Sequence, residues 1–153
     1  MRNAARGYAG RRSGVVRPCN PRHPPSIMRD FQKLIIWQRA HRLAVDTHRV
    51  LSAVREPGSA ATRNQLQRAV ASIPTNIAEG AGKRSDPDFA RYLDIALGSA
   101  KEAENHLLFA RDMGWLSSQK YEKLEAELGE IRRMLYAFAR TVRSRVNAES
   151  RGR

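Results

Sequence analysis

The sequence is poor in cysteine, in aromatic residues and in long apolar runs. Its single cysteine, Cys19, excludes an intrachain disulfide and a metal site built from several thiolates of this sequence. Aromatic residues make up only 7%, so we expect a core of Leu, Ile, Val and Ala, which favours a helical bundle over a sandwich or a barrel. No apolar run approaches the roughly 18 residues of a membrane span, and no apolar segment follows Arg11-Arg12 as an export signal requires. We therefore expect a cytoplasmic protein.

Acidic residues are also scarce, and the resulting positive charge is unevenly distributed. The chain has 28 Lys and Arg against 15 Asp and Glu, a net charge of +13. Residues 1–27 contain six arginines and no acid, and they are rich in Pro and Gly. Such a composition cannot bury enough surface to offset the entropy of ordering, so we predict disorder over 1–27. Two interpretations are open: Met28 is the native start and the segment is an upstream extension, or the segment is a basic arm that binds nucleic acid.

The remaining residues are predicted to form one all-α domain. A length of 153 residues, 41% of them hydrophobic, suits a single domain with a modest core. Apolar residues recur every three or four positions in four segments, which keeps them on one face of each helix. The predicted helices cover about 31–54, 60–79, 86–113 and 118–145. We expect an up-down-up-down four-helix bundle over 28–146, followed by a disordered tail at 147–153.

The helix boundaries carry clear local signals. Pro57-Gly58 ends the first helix, and Ser85 or Asp86 caps the third. Gly114 ends the third helix, and the short turn that follows makes the third and fourth helices antiparallel neighbours. The fourth helix has the most regular pattern, with heptad spacing over Tyr121, Leu124, Leu128, Ile131, Leu135, Phe138 and Val142.

A proline interrupts the second helical segment. Pro74 removes one backbone donor and crowds the preceding turn, so we predict a kinked helix. Side chains of Ser72, Thr75 and Asn76 lie beside the break and can satisfy the freed backbone groups. Gly80 is predicted to cap the helix in a left-handed conformation.

Neither metal nor catalytic chemistry has a convincing set of residues. Bundles that hold two metal ions use Glu-x-x-His on two helices, and neither Glu102 nor Glu104 has a histidine three residues later. Glu79 and Glu102 are instead expected to be partly buried acceptors for Arg68, Asn76 or backbone groups near the kink. No nucleophile with a base and an orienting group is evident. The sequence therefore favours a non-enzymatic protein without a metal or another cofactor.

The basic residues are the strongest functional signal. Five arginines without an acid lie between residues 131 and 148, more than a helix terminus requires for its dipole. Such an excess attracts polyanions with little sequence preference. A merely solvated basic surface is the open alternative. The candidate phosphate contacts are Arg39, Arg42, Arg49, Lys83, Arg84, Arg132, Arg133, Arg140 and Arg143.

One stretch carries a family resemblance. Residues 72–80, Ser-Ile-Pro-Thr-Asn-Ile-Ala-Glu-Gly, preceded by Gln67-Arg68, resemble the signature of the proteins named after the intervening sequences of bacterial 23S ribosomal RNA genes. Trp37, Ala96-Leu97-Gly98-Ser99 and the Gly114 turn extend the similarity, which covers about 30–144. The motif residues so identified are Arg68, Pro74, Asn76, Glu79, Gly80, Ser99 and Glu102.

The resemblance implies an architecture and a set of partners. Proteins of this kind are implied to be four-helix bundles that associate into ring-shaped homopentamers. A related branch serves as the accessory protein of diversity-generating retroelements, where a basic pentamer binds a reverse transcriptase and nucleic acid. We therefore expect a non-enzymatic, oligomeric protein that binds structured RNA, or a ribonucleoprotein, through arginines. The alternative is an adaptor for a protein partner such as a reverse transcriptase.

Overall fold

The computed structural model describes residues 29–151, which form four α-helices and no strand within that range. A short 3-10 helix at Phe31–Lys33 precedes α1. The helices are α1 (Ile35–Ser52), α2 (Ser59–Ala81), α3 (Asp86–Asp112) and α4 (Ser118–Arg151). The most extensive contacts are between α2 and α3, and those of α1 with α4 are the least extensive among the α-helices in contact. The predicted all-α four-helix fold is confirmed.

The start of the first helix differs from the prediction. A single helix was expected from about residue 31, but Leu34 adopts an extended conformation (ψ 114°) that separates the 3-10 turn from α1. Asp30 caps the 3-10 turn by accepting a hydrogen bond from the Gln32 amide (3.2 Å). Arg29 pairs with Asp86 at the start of α3 and lies over the ring of Phe89, 4.4 Å from its centroid. These contacts attach the chain before α1 to the third helix.

The predicted turn signals are used largely as expected. Gly58 and Gly114 have φ angles of +83° and +72°, which residues with a side chain rarely adopt. Ser85 caps α3, because its hydroxyl accepts from the Asp88 amide (3.2 Å) and donates to the Asp88 carboxylate (2.5 Å). Ser117 likewise accepts from the Lys120 amide (3.4 Å) at the start of α4.

The core lies between the predicted apolar faces. In α4 the five aliphatic residues of the heptad stripe are at most 3% exposed, whereas Tyr121 and Phe138 are half-buried. Alanines line the seam of α3, and Ala96, Ala100 and Ala103 are fully buried. Small side chains at these positions let the neighbouring helices approach closely. None of the described helices is long and apolar enough to cross a bilayer.

A polar cluster surrounds Pro74 inside the continuous helix α2. Thr75 donates to the Ala71 carbonyl (2.9 Å), and Asn76 donates to the Ser72 carbonyl (2.8 Å) and hydroxyl (2.9 Å). The hydroxyls of Ser72 and Ser99 are 2.9 Å apart. Because Ser99 gives its proton to the Ile95 carbonyl (3.1 Å), Ser72 is the donor to Ser99. Pro74 has no N–H to give to the Val70 carbonyl four residues back, and Thr75 and Asn76 bond to the next two carbonyls instead, so these side chains do not satisfy the freed carbonyl as predicted. Ser72 joins α2 to α3.

The prediction for Gly80 was wrong. Gly80 does not cap α2 in a left-handed conformation: it is buried within the helix, which continues to Ala81. A Cβ atom placed on Gly80 would lie 2.6 Å from Cβ of Tyr92 and 2.9 Å from Cδ2 of Phe89. The residue is needed because α3 passes too close for any side chain. A glycine is required at position 80, but the reason is the close packing of α2 against α3 and not a helix cap.

The end of the chain also differs from expectation. The fourth helix was predicted to fray after about residue 145, with a disordered tail at 147–153, but α4 continues to Arg151. The residues of this last part are mostly compatible with a helix, and the next glycine is at position 152. The disorder predicted for 1–27, and the two interpretations of that segment, lie outside the described residues.

Candidate nucleic-acid interface

The nine predicted phosphate contacts fall into three groups that differ in their ion pairing. Three arginines pair with acids on other helices: Arg39, Arg132 and Arg143. Three cations pair with an acid on their own helix or at its end: Arg49, Lys83 and Arg133. Among the described residues, the remaining three form no salt bridge: Arg42, Arg84 and Arg140. Sequence reasoning treated all nine alike, and the structure separates them.

The first group fastens the bundle together. The guanidinium of Arg39 on α1 forms a two-pronged contact with Glu127 on α4, with Nε to Oε1 at 2.8 Å and Nη2 to Oε2 at 2.7 Å. Its hydrogen bond to Glu127 raises the pKa of Arg39, so the guanidinium is charged throughout the physiological range. Arg132 pairs with Glu104, and Arg143 with Asp94, between α4 and α3. The two-pronged geometry of Arg39 and the largely buried pair of Arg132 with Glu104 indicate a structural role, whereas Arg143 and Asp94 are each about half exposed.

The second group is locally neutralised, and its two arginines are exposed. Arg49 reaches Asp46 at 3.5 Å, and the Arg49 side chain is 75% exposed. Arg133 contacts Glu130 at 2.5 Å and is 73% exposed. The hydrogen bond from Arg133 lowers the pKa of Glu130, so this acid stays ionised. Exposed pairs three residues apart are weak, and an approaching phosphate can compete for the cation.

Lys83 belongs to the second group and lies at the end of α2. Its ammonium is 3.5 Å from Glu79 and 4.6 Å from the centroid of the Tyr92 ring. The hydroxyl of Tyr92 donates to Glu79 (2.8 Å). The expectation that Glu79 and Glu102 are partly buried acceptors for Arg68 or Asn76 was therefore wrong. Both acids are exposed, and Tyr92 and Lys83 are the partners of Glu79.

Two motif residues, Arg68 on α2 and Glu102 on α3, do not have the partners that were expected. Glu102 lies 3.8 Å from His106, which is on the same helix. Arg68 is exposed and forms no salt bridge with a described residue. Ser99 is buried and bonds to α2 through Ser72. The family stretch therefore packs α2 on α3 through small and polar residues rather than through buried ion pairs.

A groove between α1 and α4 brings several of the cations together. It has a volume of about 910 Å³, and Arg39, Arg42, Lys123 and Arg133 line it. Its acidic residues are Asp46, Glu127 and Glu130, so cations exceed acids by one. Arg140 follows Arg133 by seven residues and therefore lies on the same face of α4 two turns further on. We call Arg42, Arg133 and Arg140 the basic face.

A second depression, between α1 and α2, was not predicted as a site. It has a volume of about 520 Å³ and is lined mainly by apolar and aromatic residues, among them Trp37, His41, Ala71 and Pro74. The Trp37 and His41 rings are stacked, with centroids 4.9 Å apart and an interplanar angle of 10°. A signal was present in the sequence, since residues four apart share a helix face, but His41 was considered only as a metal ligand. No cluster of three or more His, Cys, Asp or Glu suited to a metal ion occurs in the described part of the chain.

Comparison with known proteins identifies the family. A search of curated proteins gives no match. A crystal structure of a protein of unknown function from the S23 ribosomal protein family of Bacteroides thetaiotaomicron is similar, with a TM-score of 0.62 and 25% identity. The similarity covers 69% of this chain and 98% of that one. The family model described as 23S rRNA-intervening sequence protein matches residues 32–137. This chain therefore belongs to the family of 23S rRNA-intervening sequence proteins.

Proposed function

We propose that this protein is a non-enzymatic, self-associating helical bundle that binds structured RNA through the basic face. The observation that carries the proposal is that the arginines of that face are accessible and mostly not neutralised by an acid. All three are exposed, and two of them, Arg42 and Arg140, have no acidic partner among the described residues. Cations that no acid neutralises are available to phosphates, and binding them releases condensed counterions.

The pairing pattern also limits which residues act as contacts. Breaking the two-pronged contact of Arg39 with Glu127 to bind a phosphate would leave the Glu127 carboxylate, about one-third exposed, without its cation beside the phosphate. Arg42 and Arg140 have no such contact to lose, and the Arg133 contact is local and exposed. We therefore assign Arg39 and Arg132, whose side chains are 31% and 25% exposed, to the framework of the bundle. Lys83 and Arg84, in the α2–α3 connection, form a second and smaller cationic site.

Self-association is supported by apolar residues that the single chain leaves exposed. Ile35, Phe109, Met113 and Tyr136 are 66%, 49%, 51% and 63% exposed, respectively. Phe109 and Met113 are four residues apart and so are neighbours at the end of α3, and adjoining exposed apolar side chains are typical of surfaces that contact another protein. The expected ring of five copies comes from the family resemblance alone. Sedimentation equilibrium of the full chain tests it, and a mass equal to one chain at micromolar concentration would refute self-association.

The RNA proposal is tested by the salt dependence of binding. The full chain is titrated with an RNA hairpin, and with a DNA duplex of the same number of base pairs, at salt concentrations from 50 to 300 mM. The test variant replaces Arg42, Arg133 and Arg140 with Gln. Each lost phosphate contact lowers the slope of log K against log salt by about 0.7–0.9, so we expect the slope to fall by about 2 to 3. A control variant replaces Arg2, Arg6 and Arg11 with Gln and removes the same formal charge from the N-terminal segment.

The outcomes distinguish the alternatives. The proposal is supported if the basic-face variant loses the slope, the N-terminal variant keeps it, and the hairpin is preferred over the duplex. If only the N-terminal variant loses the slope, the arm is the binding site and the basic face is not. If the unmodified chain binds neither nucleic acid at the lowest salt, the arginines are a solvated surface. The adaptor function, with a protein partner such as a reverse transcriptase, then becomes the leading hypothesis.

A further inference from the structure

Three aromatic rings form a ladder on one side of α1. The ring of Phe31 meets the edge of Trp37, with centroids 4.9 Å apart and an interplanar angle of 69°. His41 lies flat on Trp37 at a centroid distance of 4.9 Å. Trp37 is half-buried, whereas His41 is exposed. The ladder therefore ends at an accessible flat ring, which is a platform for one more planar group.

The depression beside this ladder is open to solvent and mainly apolar. We call it the Trp37–His41 groove. Its far wall is formed by Ala71, Pro74 and Ala78 of α2, and its volume of about 520 Å³ is within the roughly 300–1,000 Å³ of ligand pockets. Alanine and proline side chains make a flat apolar wall. Such a wall suits the face or edge of a ring.

A polar depression of about 370 Å³ adjoins the groove. Trp37, His41 and Val45 line both depressions, and the polar one adds Gln38, Arg42, Asp46 and Arg49, so two cations and one acid line it. The two arginines are seven residues apart and so lie on one face of α1. Arg42 has no acidic partner among the described residues, and Arg49 has only the exposed 3.5 Å contact with Asp46. The two depressions therefore place an apolar, aromatic surface directly beside available guanidiniums.

We propose that the Trp37–His41 groove binds an unpaired nucleotide of RNA. The base stacks on the ring of His41, at the open end of the Trp37–His41 stack, and the adjoining phosphates lie over Arg42 and Arg49. This inference rests on the proposed RNA binding and adds the part of the RNA that is recognised: a loop, a bulge or an end, because bases within a duplex present no free face.

The cations Arg42 and Arg49 beside the groove favour a nucleotide over a second copy of the chain as its occupant. An apolar helix that covered the groove and the adjoining polar depression would remove water from the guanidinium of Arg42 without giving it an acid. A nucleotide instead brings a ring and a phosphate in the same order as the two depressions. Stacking of a base on aromatic side chains is tolerant of sequence. The groove therefore distinguishes unpaired from paired RNA rather than one base from another.

The experiment uses Trp37 as its own reporter. The chain contains two tryptophans, so the full chain with Trp115→Phe has Trp37 as its single indole. It is titrated with a single-stranded adenylate RNA decamer and with an abasic decamer of the same length and phosphate charge. We expect the adenylate decamer to quench Trp37 fluorescence and to bind roughly 5- to 150-fold more tightly, as for one stacked base.

Two further variants in the same background locate the effect. His41→Ala removes the platform, and Ala71→Leu fills the groove from an exposed position of α2. In both, we expect the quenching and the difference in affinity between the decamers to disappear. Ala61→Leu is the matched control, since Ala61 is exposed on α2 outside the groove. The control should retain both effects.

Specific results would overturn the inference. If both decamers bind equally, with a steep salt dependence and no change in Trp37 fluorescence, the basic face binds phosphate and the groove plays no part. If Trp37 fluorescence depends on protein concentration without RNA, and Ala71→Leu abolishes this dependence, a second copy occupies the groove. If neither decamer nor hairpin binds, the proposed RNA binding itself has failed and the groove inference fails with it.

Discussion

Replacing Gly80 with alanine tests whether α2 and α3 are held at their present distance by the missing side chain. The added Cβ would lie 2.6 Å from Cβ of Tyr92 and 2.9 Å from Cδ2 of Phe89. Carbon atoms in contact are normally separated by about 3.5–4.0 Å, so the helices must move apart by roughly 1 Å. Phe89 is fully buried, and Cβ of Tyr92 is fixed to the backbone, so neither can rotate away. The strain is therefore transmitted to the helix pair with the most extensive contacts.

The expected loss of stability follows from a comparison of Gly80→Ala with Gly98→Ala. Gly98 lies within α3, and a Cβ there meets nothing within 4 Å. Both substitutions gain up to about 1 kcal/mol of helix propensity. Only Gly80→Ala adds the cost of overpacking, about 1–3 kcal/mol. The helix propensity cancels in the comparison, so Gly80→Ala should be about 1–3 kcal/mol less stable than Gly98→Ala.

Urea and thermal unfolding, followed by helical circular dichroism, measure this difference. The proteins are compared at one concentration, because self-association makes the apparent stability depend on concentration. For a chain of this size, 1 kcal/mol corresponds to about 2–4 °C in Tm, so the two variants should differ by about 2–12 °C. Gly129→Ala is a second control, since its Cβ would meet only ordinary contacts at 3.8 and 3.9 Å. Equal stability of the Gly80→Ala and Gly98→Ala variants would refute the packing explanation.

Three other predictions follow from the packing and the ion pairs. Leu93→Ala should lower the free energy of unfolding by about 2–5 kcal/mol, because Leu93 is fully buried; a smaller loss in urea unfolding would mean that the core collapses around the cavity. The Arg39–Glu127 pair is about one-third exposed on each side, so a double-mutant cycle with Arg39→Ala and Glu127→Ala should give a coupling of about 0.2–1 kcal/mol, and no coupling would make the pair incidental. Arg133→Gln should destabilise the protein near pH 7 but not in acid, because Arg133 lowers the pKa of Glu130. The stability gained is present above the normal pKa of a glutamate and is lost as the pH falls through the lowered value. An unfolding difference between the two proteins that persists at pH 2 would contradict that linkage.

The core of the bundle could be predicted from the sequence because its signal is local. In α4, Leu124, Leu128, Ile131, Leu135 and Val142 are all buried, as their heptad spacing predicts. The caps are equally local, since Ser85 and Asp88 need only each other. Gly80 shows the limit of this reasoning. A glycine near a helix end favours a cap in sequence terms, and only the position of α3 reveals that the residue is required for close approach.

The role of each arginine could not be predicted, because the acids that pair with them are distant in the sequence. Arg39 and Glu127 are 88 residues apart, and Arg143 and Asp94 are 49 apart. A count of charges along one helix therefore overestimates the cations available to a ligand. Arg42 lies three positions after Arg39. Unlike Arg39, it has no acid within reach among the described residues. That property depends on the rotation of α1 against α4, which no local pattern specifies.

Both candidate surfaces border α1, the shortest of the four α-helices. α1 has 18 residues and α4 has 34, so at about 1.5 Å per residue α4 is longer by roughly 24 Å. α1 also packs less extensively on α4 than α2 does on α3, and it leaves a depression on each side, towards α4 and towards α2. Arg39 faces α4 and fixes the helix, while Arg42 is exposed and lines both the groove towards α4 and the polar depression beside the Trp37–His41 groove. If Arg39 is a positioning residue, Arg39→Ala should weaken RNA binding without changing its salt slope, whereas loss of a phosphate contact at Arg42 must change both.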